Sequence, residues 1–321
     1  MATTLRPETP RATRLRHYLS VHDMSAEETL GVLDLARELK AAHQRREDRP
    51  QLAGRTLAMI FQKPSLRTRV SFESGMTQLG GHAIYLGPED IRLGQRETTE
   101  DIAIVLARMS DLIMARVFGH EIVAELARHS TVPVINGLSD REHPCQALGD
   151  ALTILERKGR LKGVKLVFVG DGNNVANSLL LIGGLLGMSV TVACPDGYEP
   201  PADILAEARA LAQVTGAVLG VTSDLDAACR GADVLYTDVW ASMGQEAEKA
   251  DRERAFQAFK IDARLLALAA PDAIVMHCLP AHYGEEIDYA VSRTPNSALF
   301  DQAENRLHAQ KALMVMLAGV N

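Results

Sequence analysis

Short apolar runs alternate along this chain with longer stretches in which apolar residues return every three or four positions. The first pattern predicts strands and the second helices. Ser25 and Glu28 form a capping-box pair ahead of a helix that runs to about Ala42, striped by Leu30, Leu33, Leu35 and Leu39. His22-Asp23 is its polar lead-in, and 44–50 is a charged loop closed by Pro50. A strand at 56–61 is broken by Pro64-Ser65, and Ser65 caps a helix ending at Gly80-Gly81. Strand 82–86, a polar loop 87–98, helix 99–109, strand 112–116, helix 121–128 and strand 132–136 follow. Pro144 opens a long helix to Arg157.

A second set follows the Gly- and Lys-rich stretch 158–163. It has strands at 165–169, 189–193, 217–221, 234–237 and 273–277, and helices at 174–186, 202–212, 225–230, 246–259 and 263–269. A strand-like piece at 298–300 precedes a last helix, 304–319. Such alternation predicts an α/β chain of two domains, 1–150 and 151–303, each a parallel sheet flanked by helices. Ligands bind at the carboxyl ends of parallel strands, which places Ser65 to Thr68, Arg116 and the loop 137–144 on one edge.

Composition narrows the class. The 321 residues are 47% hydrophobic and 23% charged, which suits a soluble globular protein with enough chain for two domains. A net charge of −7 argues against a general nucleic-acid binder while leaving room for local basic pockets. Cys145, Cys194, Cys229 and Cys278 are scattered without metal-ligand spacing. They imply a reducing, cytoplasmic compartment without a disulfide framework or structural zinc. No stretch approaches the ~20 apolar residues of a membrane span. Residues 1–17, rich in Arg and Thr, resemble a transit peptide in composition, but Pro7 and Pro10 break any helix and the segment reads as a solvated extension.

Five stretches carry candidate chemistry. The helix start after Ser65 offers free N–H groups and a favourable dipole to an anion, and Arg67 adds a forked cation. Capping alone explains Ser65, but not two arginines at a helix end that disfavours cations. His143-Pro144-Cys145-Gln146 sets two donors three residues apart at another helix start, although a lone His there is equally an ordinary cap. Gly170-Asp171-Gly172-Asn173-Asn174 half-matches a dinucleotide turn; a plain tight turn or an amide pair for a small polar substrate fits as well. Asp238-Val239-Trp240-Ala241-Ser242-Met243-Gly244 follows a strand with an acid that suits an amine, or that merely caps the next helix. His277-Cys278-Leu279-Pro280 ends another strand, with a Leu279–Pro280 peptide open to either isomer.

Together, Ser65-Leu66-Arg67-Thr68-Arg69, His143-Pro144-Cys145-Gln146, Asp238 to Gly244 and His277 to Pro280, in this order and spacing, resemble the ornithine carbamoyltransferases of the aspartate/ornithine carbamoyltransferase family. The resemblance runs from about His17 to the C-terminus and retires the dinucleotide reading. It implies transfer of a carbamoyl group from carbamoyl phosphate to the δ-amine of L-ornithine, without metal or organic cofactor. It also implies a homotrimer with shared sites and a C-terminal helix, 304–321, that returns to the first domain. By motif position, Ser65, Leu66, Arg67 and Thr68 match phosphate binders. Arg116, His143, Gln146 and Arg306 match residues around the carbamoyl end, and Cys278 and Leu279 lie over the reacting atoms. Asn174, Asp238, Ser242 and Met243 match ornithine contacts. Arg116, His143, Asp238 and Cys278 form the implied catalytic set.

Two positions depart from the family pattern. Leu66 stands where Thr is common, which is harmless if the backbone N–H binds. Arg92 stands where Gln or His is frequent, and its charge suits a phosphate in the neighbouring subunit. Rival readings are a putrescine or lysine carbamoyltransferase, and a non-catalytic paralogue that binds the same ligands. An aspartate carbamoyltransferase fits less well, because Asp238 and the Ser242 loop suit an amine.

Overall fold

The computed structural model describes residues 17–93, 96–241 and 248–319. After a short 3-10 turn at Val21–Asp23 comes α1, Ala26–Gln44, with the expected Ser25–Glu28 capping box. Then follow β1 Thr56–Phe61, α2 Leu66–Gln78, β2 His82–Leu86, α3 Pro88–Ile91, α4 Thr99–Met109, β3 Leu112–Arg116, α5 His120–His129 and β4 Val134–Leu138. The long α6, Pro144–Lys158, leads to β5 Lys165–Val169, α7 Asn174–Leu186, β6 Ser189–Ala193, α8 Ala202–Thr215, β7 Leu219–Thr222, α9 Leu225–Cys229 and β8 Val234–Thr237. The chain closes with α10 Lys249–Phe256, α11 Ala263–Leu268, β9 Ile274–His277 and α12 Leu299–Ala318.

The strands form two parallel sheets, β2-β1-β3-β4 and β7-β6-β5-β8-β9. Both are wound from the centre outward, so connections cross over at β1/β3 and at β5/β8, where ligand crevices form. Both central strands are buried on two faces, which is why they read as continuous apolar runs and not as alternating ones. On β4 the register slips: Ala115 pairs with Asn136 but Arg116 with Leu138. Gly137 takes up the slack, and a Cβ there would meet Met114 Sδ at 2.4 Å. The irregularity falls at Arg116, on the ligand edge.

Several expectations need correction. The loop 87–98 contains α3, because Pro88 pre-sets the first helical residue and Asp90 accepts from the Gly87 N–H. The strand expected at 132–136 begins at Val134; Pro133 has no N–H to pair. Helix α8 runs on to Thr215, stopped by left-handed Gly216, and delays β7 to Leu219. The piece 298–300 is not a strand. Ser297 makes a single bridge to Val275, and Leu299 already starts α12. Of the helix expected at 246–259, Lys249–Phe256 is helical, and 246–247 lie outside the described residues.

Helix α12 packs on α6, α1 and α2, back against the first sheet's helices, with a smaller contact to β9. It is buried on nearly every side although it is not apolar all round. Several of its polar residues are paired instead, although the buried Gln310 carboxamide has no partner among the described residues. Asn305 Nδ2 donates to Thr153 and Glu156, and the Lys311 ammonium, fully buried, donates to Asp48 Oδ1 (3.1 Å) and Gln78 Oε1 (2.9 Å). Replacing Lys311 with Met keeps the stem and leaves Asp48 and Gln78 short of a charged donor. We expect a loss of about 1.5–3 kcal/mol in urea unfolding; an unchanged midpoint would remove this bridge from the account of α12 docking.

Candidate active site

A cavity of ≈ 980 Å³ opens between the carboxyl edges of the two sheets. Its first wall grows from the start of α2. Ser65 Oγ accepts from the Thr68 N–H at 3.4 Å, as an N-cap should, and leaves the rest of the first turn facing the cavity. The two arginines of this turn part company. Arg67 lines the cavity, whereas Arg69 lies over the Tyr85 ring, 4.0 Å from its centroid, and pairs with Glu73 on the surface. Thr68 is buried behind the turn, where its hydroxyl accepts from Arg306 Nη2 at 3.1 Å and Arg116 Nη1 at 3.5 Å. Arg306 arrives on α12 and Arg116 at the end of β3, so three distant segments deliver three guanidinium groups to one place.

The field they make governs His143. Burial first, then Arg306, Arg116 and Arg67, hold its imidazole well below its ordinary range, so it is neutral at physiological pH. Burial, with Arg306 and Arg67, pushes Arg116 down to about 9, still protonated near neutrality. His143 Nδ1, Gln146 Oε1 and Arg306 Nε are buried without a hydrogen-bond partner. Such atoms at a cavity wall mark where a polar ligand is owed.

The second wall is the end of β8 and β9. Asp238 Oδ1 accepts from the Cys278 thiol at 2.9 Å and the Val239 N–H at 2.8 Å; Oδ2 accepts from Asn173 Nδ2 at 2.9 Å. Burial and the neighbouring Asp238 push the Cys278 thiol well above its ordinary value. It is a donor here, not a thiolate nucleophile. Leu279 sits at φ +59° ahead of a cis peptide to Pro280. His277 Nδ1 accepts the Leu279 N–H at 2.8 Å, which leaves Nε2–H for Glu286 Oε1 at 3.0 Å. This buried pair holds a left-handed turn that a leucine rarely adopts.

Ser65, Leu66, Arg67, Arg116, His143, Gln146, Asn174, Asp238, Cys278, Leu279 and Arg306 all line this one cavity, with Thr68 behind it. Asn174 also ties the walls together, donating to the Ser139 carbonyl at 2.6 Å. Arg92 does not reach it. It is exposed, left-handed at φ +41°, and paired with Glu89 at 2.8 Å. Ser242 and Met243 lie outside the described residues. The dinucleotide turn is closed off: a Cβ on Gly172 would meet the Pro200 nitrogen at 2.2 Å, and Asp171 is paired with Arg252. Asp238, His277 and Cys278 have ligand-type atoms within 4.8 Å of one another, but both His277 nitrogens and both Asp238 oxygens already have partners.

Sequence reasoning named Asn173 and His277 only as members of their stretches, without their supporting roles, and missed Glu286. An amide directly before Asn174 was a visible signal for the first. Glu286 had none, since its role depends on a turn that brings it back under His277.

A cationic wall facing a carboxylate–thiol wall across two α/β halves defines a two-substrate site, for a small anion and an amine-bearing partner. The chain belongs to the aspartate/ornithine carbamoyltransferase family. The family's carbamoyl-P binding domain matches residues 16–156 and its Asp/Orn binding domain matches 162–317. Ornithine carbamoyltransferase of Acidothermus cellulolyticus is 54% identical over 303 residues, 94% of this chain and 96% of that protein. The anabolic enzyme of Pyrococcus furiosus is 52% identical over 304 residues, 95% of this chain and 96% of that one. The solved structure of ornithine carbamoyltransferase from Pyrococcus furiosus superposes with a TM-score of 0.93, covering 95% of this chain and 98% of that chain. The anabolic enzyme of Campylobacter jejuni, 39% identical, gives 0.90 over 95% and 99%.

The depressed His143 predicts a sign for acid sensitivity. Below its unfolded value near ~6.5 the unfolded chain takes a proton that the folded chain refuses, so stability falls as pH drops through that point. Side-chain nitrogen NMR of the ligand-free protein should find His143 neutral at about pH 5.5, one unit below the ordinary value. An imidazole titrating near 6.5 would contradict the field described above.

Proposed function

We propose that the chain transfers the carbamoyl group of carbamoyl phosphate to the δ-amine of L-ornithine, giving L-citrulline and phosphate. The observation that carries this reading is the pairing of walls in one cavity: Arg67, Arg116 and Arg306 at a helix start, opposite Asp238 and Cys278. In this reading the phosphate lies against Ser65, the Leu66 and Arg67 N–H groups and the Arg67 side chain, backed by Thr68, where cations stabilise charge on the leaving group. Arg116 and neutral His143 donate to the carbonyl oxygen as it becomes an oxyanion. Gln146, Arg306 and Leu279 surround the rest of the carbamoyl group. Asn174 and Asp238, with Ser242 and Met243, hold ornithine. Asp238 and Cys278 orient the substrate amines, and the departing phosphate takes the proton released by attack. Catalysis is positioning and electrostatics, since no side chain in the cavity is a strong general base.

The same reading divides the chain into a carbamoyl phosphate domain, 1–150 with the returning 304–321, and an ornithine domain, 151–303. Anabolic relatives favour arginine biosynthesis as its setting. Four free thiols favour the cytoplasm, and among the described residues no helix is long and apolar enough to cross a membrane. A homotrimer fits the exposure of Leu66 (74%), Val70 (50%) and Ile84 (42%) beside the edge strand β2.

The purified protein should form citrulline from carbamoyl phosphate and ornithine in a colour assay. Putrescine lacks the α-carboxylate, so polar groups built for the amino-acid end stay unpaired, and its kcat/KM should be lower by on the order of 10⁴. Equal values for the two amines would refute ornithine and keep carbamoyl transfer.

Arg92 is assigned to the phosphate site of the next subunit. Arg67→Ala and Arg92→Ala should each lower turnover by about 10²–10³. When the two variants are unfolded and reassembled together, every mixed ring contains one junction where an intact Arg67 meets an intact Arg92. Activity should reappear there that neither parent has. No gain in mixed trimers verified by a charge tag would reject the shared site.

A further inference from the structure

Behind the cavity lies an acid that the reaction above does not use. Asp150 is on α6, one turn beyond Gln146, and is 1% exposed. Its Oδ1 accepts from Gln146 Nε2 at 2.8 Å and Gln302 Nε2 at 2.7 Å; its Oδ2 accepts from the Tyr236 hydroxyl at 3.0 Å. A carboxylate offers only acceptors, so Gln146 has to turn its NH₂ group toward Asp150. Its Oε1 is thereby sent the other way. That oxygen is buried and has no partner, and Gln146 lines the cavity.

The polarity of this oxygen is unusual for its wall. Arg67, Arg116, Arg306 and Ser65 all bring donors, which suit the phosphate and carbonyl oxygens. Of the groups in carbamoyl phosphate, only the NH₂ has hydrogens to give. Resting on the carbamoyl phosphate reading, we infer that Asp150 is a positioning residue for specificity: it fixes the Gln146 carboxamide so that Oε1 accepts from the carbamoyl NH₂, selecting carbamoyl over acyl phosphates. An unconstrained glutamine could flip and present NH₂, which would tolerate a methyl ketone equally well. Burial pushes the Asp150 carboxyl up to about 7, opposed by its three donors; those donors match the charged form.

The same carboxylate also reaches the opposite wall. Gln302, held by Asp150 and by the Tyr236 oxygen at 2.9 Å, accepts the His277 N–H on its Oε1 at 2.8 Å. The amide that reads the carbamoyl NH₂ and the turn that carries Cys278 and Leu279 are therefore hung from one buried acid.

The test uses two stable phosphonates, phosphonoacetamide and 2-oxopropylphosphonate, which differ by NH₂ against CH₃. Wild-type protein should bind the amide more tightly by calorimetry. In Asp150→Ala this preference should fall about tenfold or more, the scale of one buried hydrogen bond lost or left unmade, while 2-oxopropylphosphonate still binds within about threefold of wild type. Asp150→Leu, which fills the volume without an acceptor, should behave alike if the alanine variant folds poorly. Asp150→Asn keeps an acceptor for Gln146 and should restore most of the preference. Tyr236→Phe removes a partner of Asp150 but not the Gln146 bond, and should keep the preference as well. Equal loss for both ligands, or an unchanged preference in the alanine and leucine variants, would overturn the inference. Wild-type protein that binds neither phosphonate would instead sink the carbamoyl phosphate reading.

Discussion

Three guanidinium groups converge on one buried spot, and much of the structure is arranged around that repulsion. Arg116 and Arg306 share the Thr68 hydroxyl as acceptor, and Arg67 flanks them at the open end of α2. Like charges in a partly desolvated site are costly unless an anion comes between them. The fold meets this cost by delivering each arginine from a different rigid element: a helix start, a strand end and a returning helix. The neutral state of His143 follows from the same field, because no second proton is tolerable there.

The return of α12 is therefore more than a way to bury a helix. It supplies Arg306 to the first wall and Gln302 to the second, within one turn of each other. Its burial on nearly all sides is possible because the helices and loops around the first sheet offer partners to several of its polar residues: Lys40, Thr153 and Glu156 to Asn305, Asp48 and Gln78 to Lys311. A helix with such a face has little meaning alone, and its periodicity is correspondingly weak to read.

This explains what was legible beforehand. The buried strands of both sheets, the Ser25 and Ser65 caps and the long α6 are local matters of periodicity and capping chemistry, and each is found at or near its expected bounds. The ends of α8 and β4 shifted because a single Gly or Pro decided them. The ordered motifs pointed to the cavity, and eleven of the residues they nominated line it. The supports were hidden. Glu286 under His277 and Asn173 on Asp238 are partners across turns or between sheets, which no spacing rule in one sequence picks out, and Asp150 behind Gln146 is an i, i+4 pair on α6 whose place behind the cavity only the fold shows. Arg92 is a different case. Its charge is legible, and among the described residues its side chain pairs with Glu89.

The two walls also divide the labour of protonation. On the first, the arginines are cationic and the His143 imidazole is neutral. On the second, the thiol of Cys278 is kept protonated by burial and by Asp238, so it donates as well. On this wall the Asp238 carboxylate has its two oxygens already oriented by Asn173, Val239 and Cys278. An incoming diamine can dock its cationic end on Asp238, while its reacting amine attacks in the neutral form and gives up a proton as the new C–N bond forms. The strongest unclaimed acceptor near that amine is the phosphate being expelled. In the proposed reaction such a charge pattern needs no tuned general base, because the leaving group it stabilises also serves as the base.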